Sequence, residues 1–230
     1  MVNFVLLQED IPSYNKQIID KGITPQNVYK ICSCIRETFC LSYAIRKNNA
    51  FYLYFQREYA LVKFEGARLR FLGPDERSIA LLLEKALIKA KKDYNIKNHK
   101  WSKSTPGIFI RKFVDNFSFI NFFESIALGK SYLIIKNTQI KEDLEDDLSL
   151  NKEIIDFKDS NFFIIPTFTI TKGISELIEL FKKTKNTKLL SFSKIKDVED
   201  VILYINFKKD QHNNSKNKSK NDPKEHKNLF

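Results

Sequence analysis

Six charged side chains crowd one short run of the chain, FEGARLRFLGPDER, which ends at Arg77. Glu65, Arg68, Arg70, Asp75, Glu76 and Arg77 are set around Gly66 and Gly73. Carboxylates of this kind can accept or steer a proton, and guanidinium groups can grip phosphates or orient a base. A solvated surface cluster has the same composition, so the context has to separate the two readings. Directly after the run, Ile79, Leu82, Leu83, Ala86, Leu87 and Ala90 recur at spacings of three and four, the stripe of an amphipathic helix. Pro74 suits the first helical position, and Asp75 and Glu76 suit the positive end of the helix dipole. Arg77 opposes that dipole and is the hardest of the six to explain as decoration.

Other chemistries find little support. The three histidines, His99, His212 and His226, fall in a linker and in the basic tail, so neither a Ser-His-Asp constellation nor a zinc site can be assembled convincingly. Cys32, Cys34 and Cys40 are the only cysteines. Their odd number fits a reducing compartment. Cys32 and Cys34 are two apart on a helical pattern and point to different faces, which disfavours a shared metal. GKS at 129–131 resembles the end of a phosphate loop, but the first glycine of that motif would fall at Glu124.

The 230 residues carry a formal charge of +11 and are 43% hydrophobic, enough for a sizeable core and suited to a polyanionic partner such as RNA. The tail, 207–230, contributes seven lysines against three acids and almost no apolar residues, so it reads as disordered and basic. No apolar run reaches transmembrane length, and the expectation is a soluble, cytoplasmic protein without a membrane anchor or metal.

The elements that must position the charged run read as follows. NFVLL is a buried strand, and QNVYKICSCIRETF an amphipathic helix. FYLYF and ALVKF form a hairpin across QREY. GIFIR, SYLII, NFFII, KLLSF and VILYIN read as strands. The run 113–128 and GISELIELFKKTK read as helices, and 137–158 as a polar, irregular insert. Strands alternating with helices imply an α/β sheet with parallel members.

FEGARLRFLGPDERS followed by ALLLEKAL, then STPGIFIRKF, resembles the archaeal tRNA pseudouridine N1-methyltransferases of the SPOUT superfamily. CSCIRETFCLSYAIRKN resembles the first helix of that family, and the likeness runs in order from Asn3 to Asn206. The resemblance implies an α/β fold with a deep trefoil knot near the C-terminus and a mostly parallel sheet flanked by helices. It implies a homodimer, S-adenosylmethionine as methyl donor, and tRNA as substrate, methylated on N1 of a T-loop pseudouridine. Glu65, Asp75, Glu76 and Arg77 become candidates for positioning the base and handling its proton. Arg46, Arg68, Arg70 and Arg111 become candidates for RNA contact. Ile134, Pro166, Ser191, Phe192, Ser193, Lys194 and Asp200 fall where the cofactor would be held.

This chain departs from the family pattern at that last group. Pro166 and Thr167 stand where a glycine and an acid are expected, and proline offers no N–H. Ser191 to Lys194 replace a glycine-bearing loop, Asp200 replaces a cysteine, and Asn27 and Tyr29 replace an arginine-acid pair; Asn206 is kept. Three readings stay open on the sequence: a tRNA methyltransferase, an RNA-binding relative without methyl transfer, and an rRNA pseudouridine N1-methyltransferase.

Overall fold

A computed structural model describes residues 1–92, 100–135, 155, 157, 160–166, 170–192 and 195–221, the last six of these by backbone alone. The expected insert at 137–158, apart from Ile155 and Phe157, and Thr167, Ser193 and Lys194 lie outside the described residues.

Eight strands form one sheet in the order β4-β5-β3-β2-β1-β7-β6-β8. Five run parallel: β2 (Asn49–Phe55), β1 (Val2–Gln8), β7 (Asn161–Ile165), β6 (Ser131–Ile135) and β8 (Thr187–Ser191). The remaining three, β3 (Ala60–Glu65), β5 (Ile108–Lys112) and the two-residue β4 (Ser102–Lys103), extend one edge with antiparallel pairing. The β2–β3 hairpin expected from sequence is present.

Strands β1, β2, β6 and β7 are buried at every position. That is the signature of parallel strands covered on both faces, and it explains their continuous apolar runs. Phe4, Leu6, Phe51, Leu53 and Phe55 point to one face. There they meet α2 (Gln26–Phe39), α3 (Glu76–Lys92) and the start of α6 (Val198–Asn221). Val5, Leu7, Tyr52, Tyr54 and Leu61 point to the other, under α4 (Asn116–Ile126) and α5 (Lys172–Lys182). Short α1 (Lys16–Asp20) packs beside α3.

Two sequence expectations change. VILYIN is not a strand but lies inside α6. Val198, Val201, Ile202 and Ile205 are buried at spacings of three and four, so the helical period is there once the window reaches upstream. The helix also continues through Asn221, into the stretch expected to be disordered. Arg46 holds it by a two-pronged bond to Asp210, with Nη1···Oδ1 2.8 Å and Nη2···Oδ2 2.7 Å.

Gly129, in the run that imitates a phosphate loop, has a packing reason. A Cβ there would sit 1.9 Å from the Ser160 carbonyl oxygen. Trp101 packs edge-on against Phe122 rather than projecting toward solvent.

Candidate functional site

The charged run occupies the edge of the sheet where the parallel strands begin. Glu65 pairs in register with Ala50, near the start of β2. Gly66 donates its N–H to the Asn49 carbonyl at 3.0 Å, and Glu65 donates its own to the Gly107 carbonyl at 2.8 Å. Any side chain at Gly66 would collide with the Arg46 and Asn49 carbonyls, at 2.4 and 2.8 Å. Gly107 has φ +83°, and a Cβ on it would meet the Leu69 nitrogen at 2.5 Å. FEGARLR and STPG, separated in sequence, therefore interlock through two glycines that allow backbone to press on backbone.

The side chains of this block divide by what they touch. Glu65 lies 3.4 Å from Lys63 Nζ and 3.8 Å from Arg68 Nε. Arg68 and Arg70 are exposed, and Arg70 has no ion-pair partner among the described residues. Asp75 caps α3. Its Oδ1 accepts from the Ser78 N–H at 2.8 Å, and the Ser78 hydroxyl donates to its carbonyl. That backbone hydrogen bond, with the Ser78 hydroxyl behind it, holds the Asp75 carboxyl below the usual range, which makes it a poor proton acceptor. Glu76 is half-buried in the first turn of α3. Arg77 reaches across to Asp20 of α1, with Nε and Nη2 at 3.0 and 2.7 Å from one carboxylate oxygen. The cation that opposed its own helix dipole is thus satisfied by a neighbouring acid.

Arg46 belongs to the same edge but is engaged by Asp210, with only 17% of its side chain exposed. Arg111 does not join the cluster. It pairs in register with Leu61, toward the opposite end of β3, and its guanidinium lies over the Phe122 ring at 4.2 Å. Burial draws its pKa down, as expected for a cation held against aromatic rings.

A crevice opens at the other edge, where the parallel strands end. Ile134 and Ile135 of β6 and Ile165 with Pro166 of β7 line it, joined by Ile170. Phe192 and Ile195 after β8, then Lys196, Asp197, Val198 and Val201 at the start of α6, complete the wall. Ligands of open α/β sheets sit in this place, outside the carboxyl ends of the strands. The chain leaves β7 on one side of β6 and returns in β8 on the other, so the crevice also marks a crossing in the topology.

Of the expected cofactor residues, Ile134, Pro166 and Phe192 line this crevice. Ser191 ends β8 opposite Ile135. Asp200 is exposed on the first turn of α6 and is not part of the lining. Lys196 and Asp197, which sequence reasoning passed over, provide the charge at the mouth. Their signal was their place between a strand and a helix start. Glu9 and Asp10 follow β1 at the same edge but are not part of the lining; Arg57 holds both, each at 2.9 Å.

Among the described residues, no three His, Cys, Asp or Glu side chains gather as a metal site, and no helix is long and apolar enough to cross a membrane.

Residues 1–143 match a family profile described as "Putative SAM-dependent RNA methyltransferase". The chain belongs to that family. Within the methyltransferase family, the matched span contains the whole charged run and its interlocking partner at Gly107. Three relatives carry the name tRNA (pseudouridine(54)-N(1))-methyltransferase. The protein of Methanocaldococcus jannaschii is 39% identical over 85 residues, 36% of this chain and 42% of that protein. The protein of Haloferax volcanii is 42% identical over 82 residues, 36% of this chain and 39% of that protein. The protein of Methanococcoides burtonii is 29% identical over 181 residues, 76% of this chain and 79% of that protein. The chain thus spans about two fifths of the length of the first two relatives, and about four fifths of the third.

The lining suits S-adenosylmethionine. Isoleucines, a proline and a phenylalanine form an apolar slot of the kind that takes a purine. Lys196 and the N–H groups that open α6 favour a carboxylate. Pro166 contributes its ring to the wall and no donor.

Proposed function

We propose that this protein transfers a methyl group from S-adenosylmethionine to N1 of a pseudouridine in the T-loop of tRNA, the position numbered 54 in its relatives. The observation that carries the reading is the apolar crevice at the carboxyl ends of β6 and β7, closed by the start of α6, in a chain of an RNA methyltransferase family. When bound there, S-adenosylmethionine supplies an electrophilic methyl on a sulfonium. Transfer of that methyl to N1 would leave the N1 proton to be taken by a base. The chain's task is to align N1, exclude water and accept that proton. Glu65 and Glu76 stay candidates for the acceptor; Asp75, held as a helix cap, is displaced from that role. The cytoplasm is where such a substrate would be met.

We infer a homodimer as the working unit. Glu65 and its arginines lie across the length of β2 from the end of the sheet that holds the crevice. Seven residues of strand span roughly 20 Å. Helix α2 also stands between α3 and α6, packing on both. A second copy is the simplest way to bring an arginine block to a crevice that its own chain keeps at a distance. The knot belongs to the same proposal. It is supported by a strand order that places β7 between β1 and β6 and returns to β8 beyond.

The test is direct. Purified protein is titrated calorimetrically with S-adenosylmethionine, then incubated with labelled donor and a tRNA transcript bearing pseudouridine in the T-loop. Digestion and mass spectrometry should find N1-methylpseudouridine. Tight RNA binding with neither cofactor heat nor product would instead establish an RNA-binding protein without methyl transfer. Methylation of small-subunit rRNA alone would move the substrate.

A further inference from the structure

We propose that Phe71, with Tyr43 on the adjoining turn, is a stacking platform for an unstacked base of the RNA, flanked by Arg68 and Arg70. The inference rests on the RNA reading above and adds to it a recognition site.

Phe71 is held in a conformation that a phenylalanine rarely adopts. Its φ is +66°, in the left-handed region, and its side chain is 79% exposed. Neither local preference nor burial accounts for that, since a bulky residue at positive φ carries strain and this one gains no core contact. The chain is pinned on both sides. Leu69 is buried in the core, and Leu72 packs against it from the other side of Phe71. Arg68 and Leu69 donate their N–H groups to the Glu65 carbonyl at 2.9 and 3.0 Å, and Gly107 lets that backbone lie close. Two anchored leucines thus leave Arg70 and Phe71 projecting outward from a fixed backbone.

A second aromatic stands nearby. Tyr43 is fully exposed at 103%, in the turn closed by the Leu41 N–H and the Ala44 carbonyl at 2.9 Å. Its base, the Cys40–Ile45 bridge, touches the loop of Phe71, with Cys40 Sγ 3.8 Å from the Gly73 carbonyl oxygen. Lys47, Arg68 and Arg70 are exposed on the same edge. Of the acids on this loop, Asp75 is committed to the helix cap, and Glu65 is shared between Lys63 and Arg68, which leaves Arg70 and Lys47 as the cations without an ion pair among the described residues. Exposed aromatics ringed by cations are the composition that binds splayed bases of RNA loops, rings taking the base and guanidiniums the phosphates. A T-loop base displaced for methylation leaves a neighbour that has lost its own stack, and the platform would replace it.

The experiment uses the full chain and Phe71→Ala, Phe71→Trp and Phe71→Gly, with Tyr43→Ala alongside. The probes are a tRNA transcript, a T-arm stem-loop carrying 2-aminopurine at successive loop positions, and S-adenosylmethionine. Wild type should quench 2-aminopurine at one loop position. Phe71→Ala should lose that quench and bind tRNA roughly 5- to 150-fold more weakly, the range for one lost base stack. Phe71→Trp should retain both. Phe71→Gly should melt at or above the wild-type temperature, since glycine relieves the positive φ, while binding RNA as weakly as the alanine variant. Affinity for S-adenosylmethionine should not move.

Wild-type tRNA affinity in Phe71→Ala and Phe71→Gly would overturn the platform and leave the RNA reading standing. A shift of Phe71→Ala to a smaller species in sedimentation, without loss of RNA affinity per subunit, would give the face to a second copy of the chain. Failure of the wild-type protein to bind any RNA would overturn the reading and the platform together.

Discussion

Asn49 and Asn206 share a hydrogen bond that ties the two ends of the fold. Asn49 Nδ2 donates to Asn206 Oδ1 at 3.0 Å and to the Thr38 carbonyl at 2.9 Å. Asn206 Nδ2 in turn donates to the Glu37 carbonyl at 2.8 Å. The start of β2, the last turn of α2 and the middle of α6 meet in these two amides. Because the Asn49 carbonyl also receives the Gly66 N–H, the same knot of bonds supports the charged loop. Replacing Asn206 by Ala removes an acceptor from one buried donor and a donor from one buried carbonyl. The expected loss is about 1–3 kcal/mol in chemical denaturation. An unchanged midpoint would show that α6 is held by its apolar stripe and the Arg46–Asp210 pair without help from Asn206.

Gly107→Ala tests the interlock of the two signatures. The added methyl meets the Leu69 nitrogen, and the residue must keep φ +83°. Destabilisation of about 1–3 kcal/mol is expected, along with weaker RNA binding, because the loop carrying Arg68 and Phe71 has to move. Stability lost without any change in RNA affinity would separate the loop from recognition.

Asp75→Ala should cost about 1 kcal/mol at neutral pH through the lost cap. The sign with pH follows from the depressed carboxyl. Its folded value lies below the ordinary value of about 3.9, so the contribution is full above that value and fades as pH falls through the folded one. Urea titrations of both proteins between pH 7 and pH 2 should converge at the acid end. A difference that persists there would exclude the charged cap.

Thiol labelling should follow burial. Cys34 is fully enclosed, and burial, foremost, raises its pKa and takes that of Cys32 up to about 12. Cys40 is half-buried and also raised, burial leading. At pH 8 Cys40 should be the first to react with iodoacetamide, and slowly, while Cys32 and Cys34 wait for unfolding. Fast modification of Cys32 would contradict the packing of α2 between α3 and α6.

Ending the chain after Asn206 should lower the melting temperature. The truncation removes Asp210 and leaves the Arg46 guanidinium, 17% exposed, without its partner. Composition alone predicts that folding survives the loss of 207–230 and that RNA association weakens mildly. Equal melting curves would restore that expectation.

How far the sequence carried these conclusions depended on the type of signal. The fully buried strands β1, β6 and β7 stood out as apolar runs, and α3 and α5 as stripes, because burial imposes period. The start of α6 was missed since Val201 to Asn206 is β-branched and aromatic, and its helical partner Val198 lies upstream behind acids. The course of α6 beyond Phe207 could not be seen because the groups that meet it, Arg46 at Asp210 and Phe157 at His212, are distant in sequence. Glu65, Arg68 and Arg70 are neighbours in sequence and stay so in space, at the end of β3 and in the loop after it. That Arg111 points to α4 follows from strand register, which no local pattern contains. Phe71 gave no signal at all, because an exposed aromatic at positive φ is visible only in the backbone.

The position of β7 has a consequence for how the chain acquires its shape. β1 pairs on one side with β2, close in sequence, and on the other with a strand that begins at Asn161. During synthesis, the first strand therefore waits for most of the polypeptide with one hydrogen-bonding side open and its apolar faces half covered. Such distant pairing makes folding slow and leaves an edge on which nascent copies can associate. Refolding from denaturant should accordingly be slow and yield less as concentration rises, and chaperone assistance should matter most before Ile165 has left the ribosome.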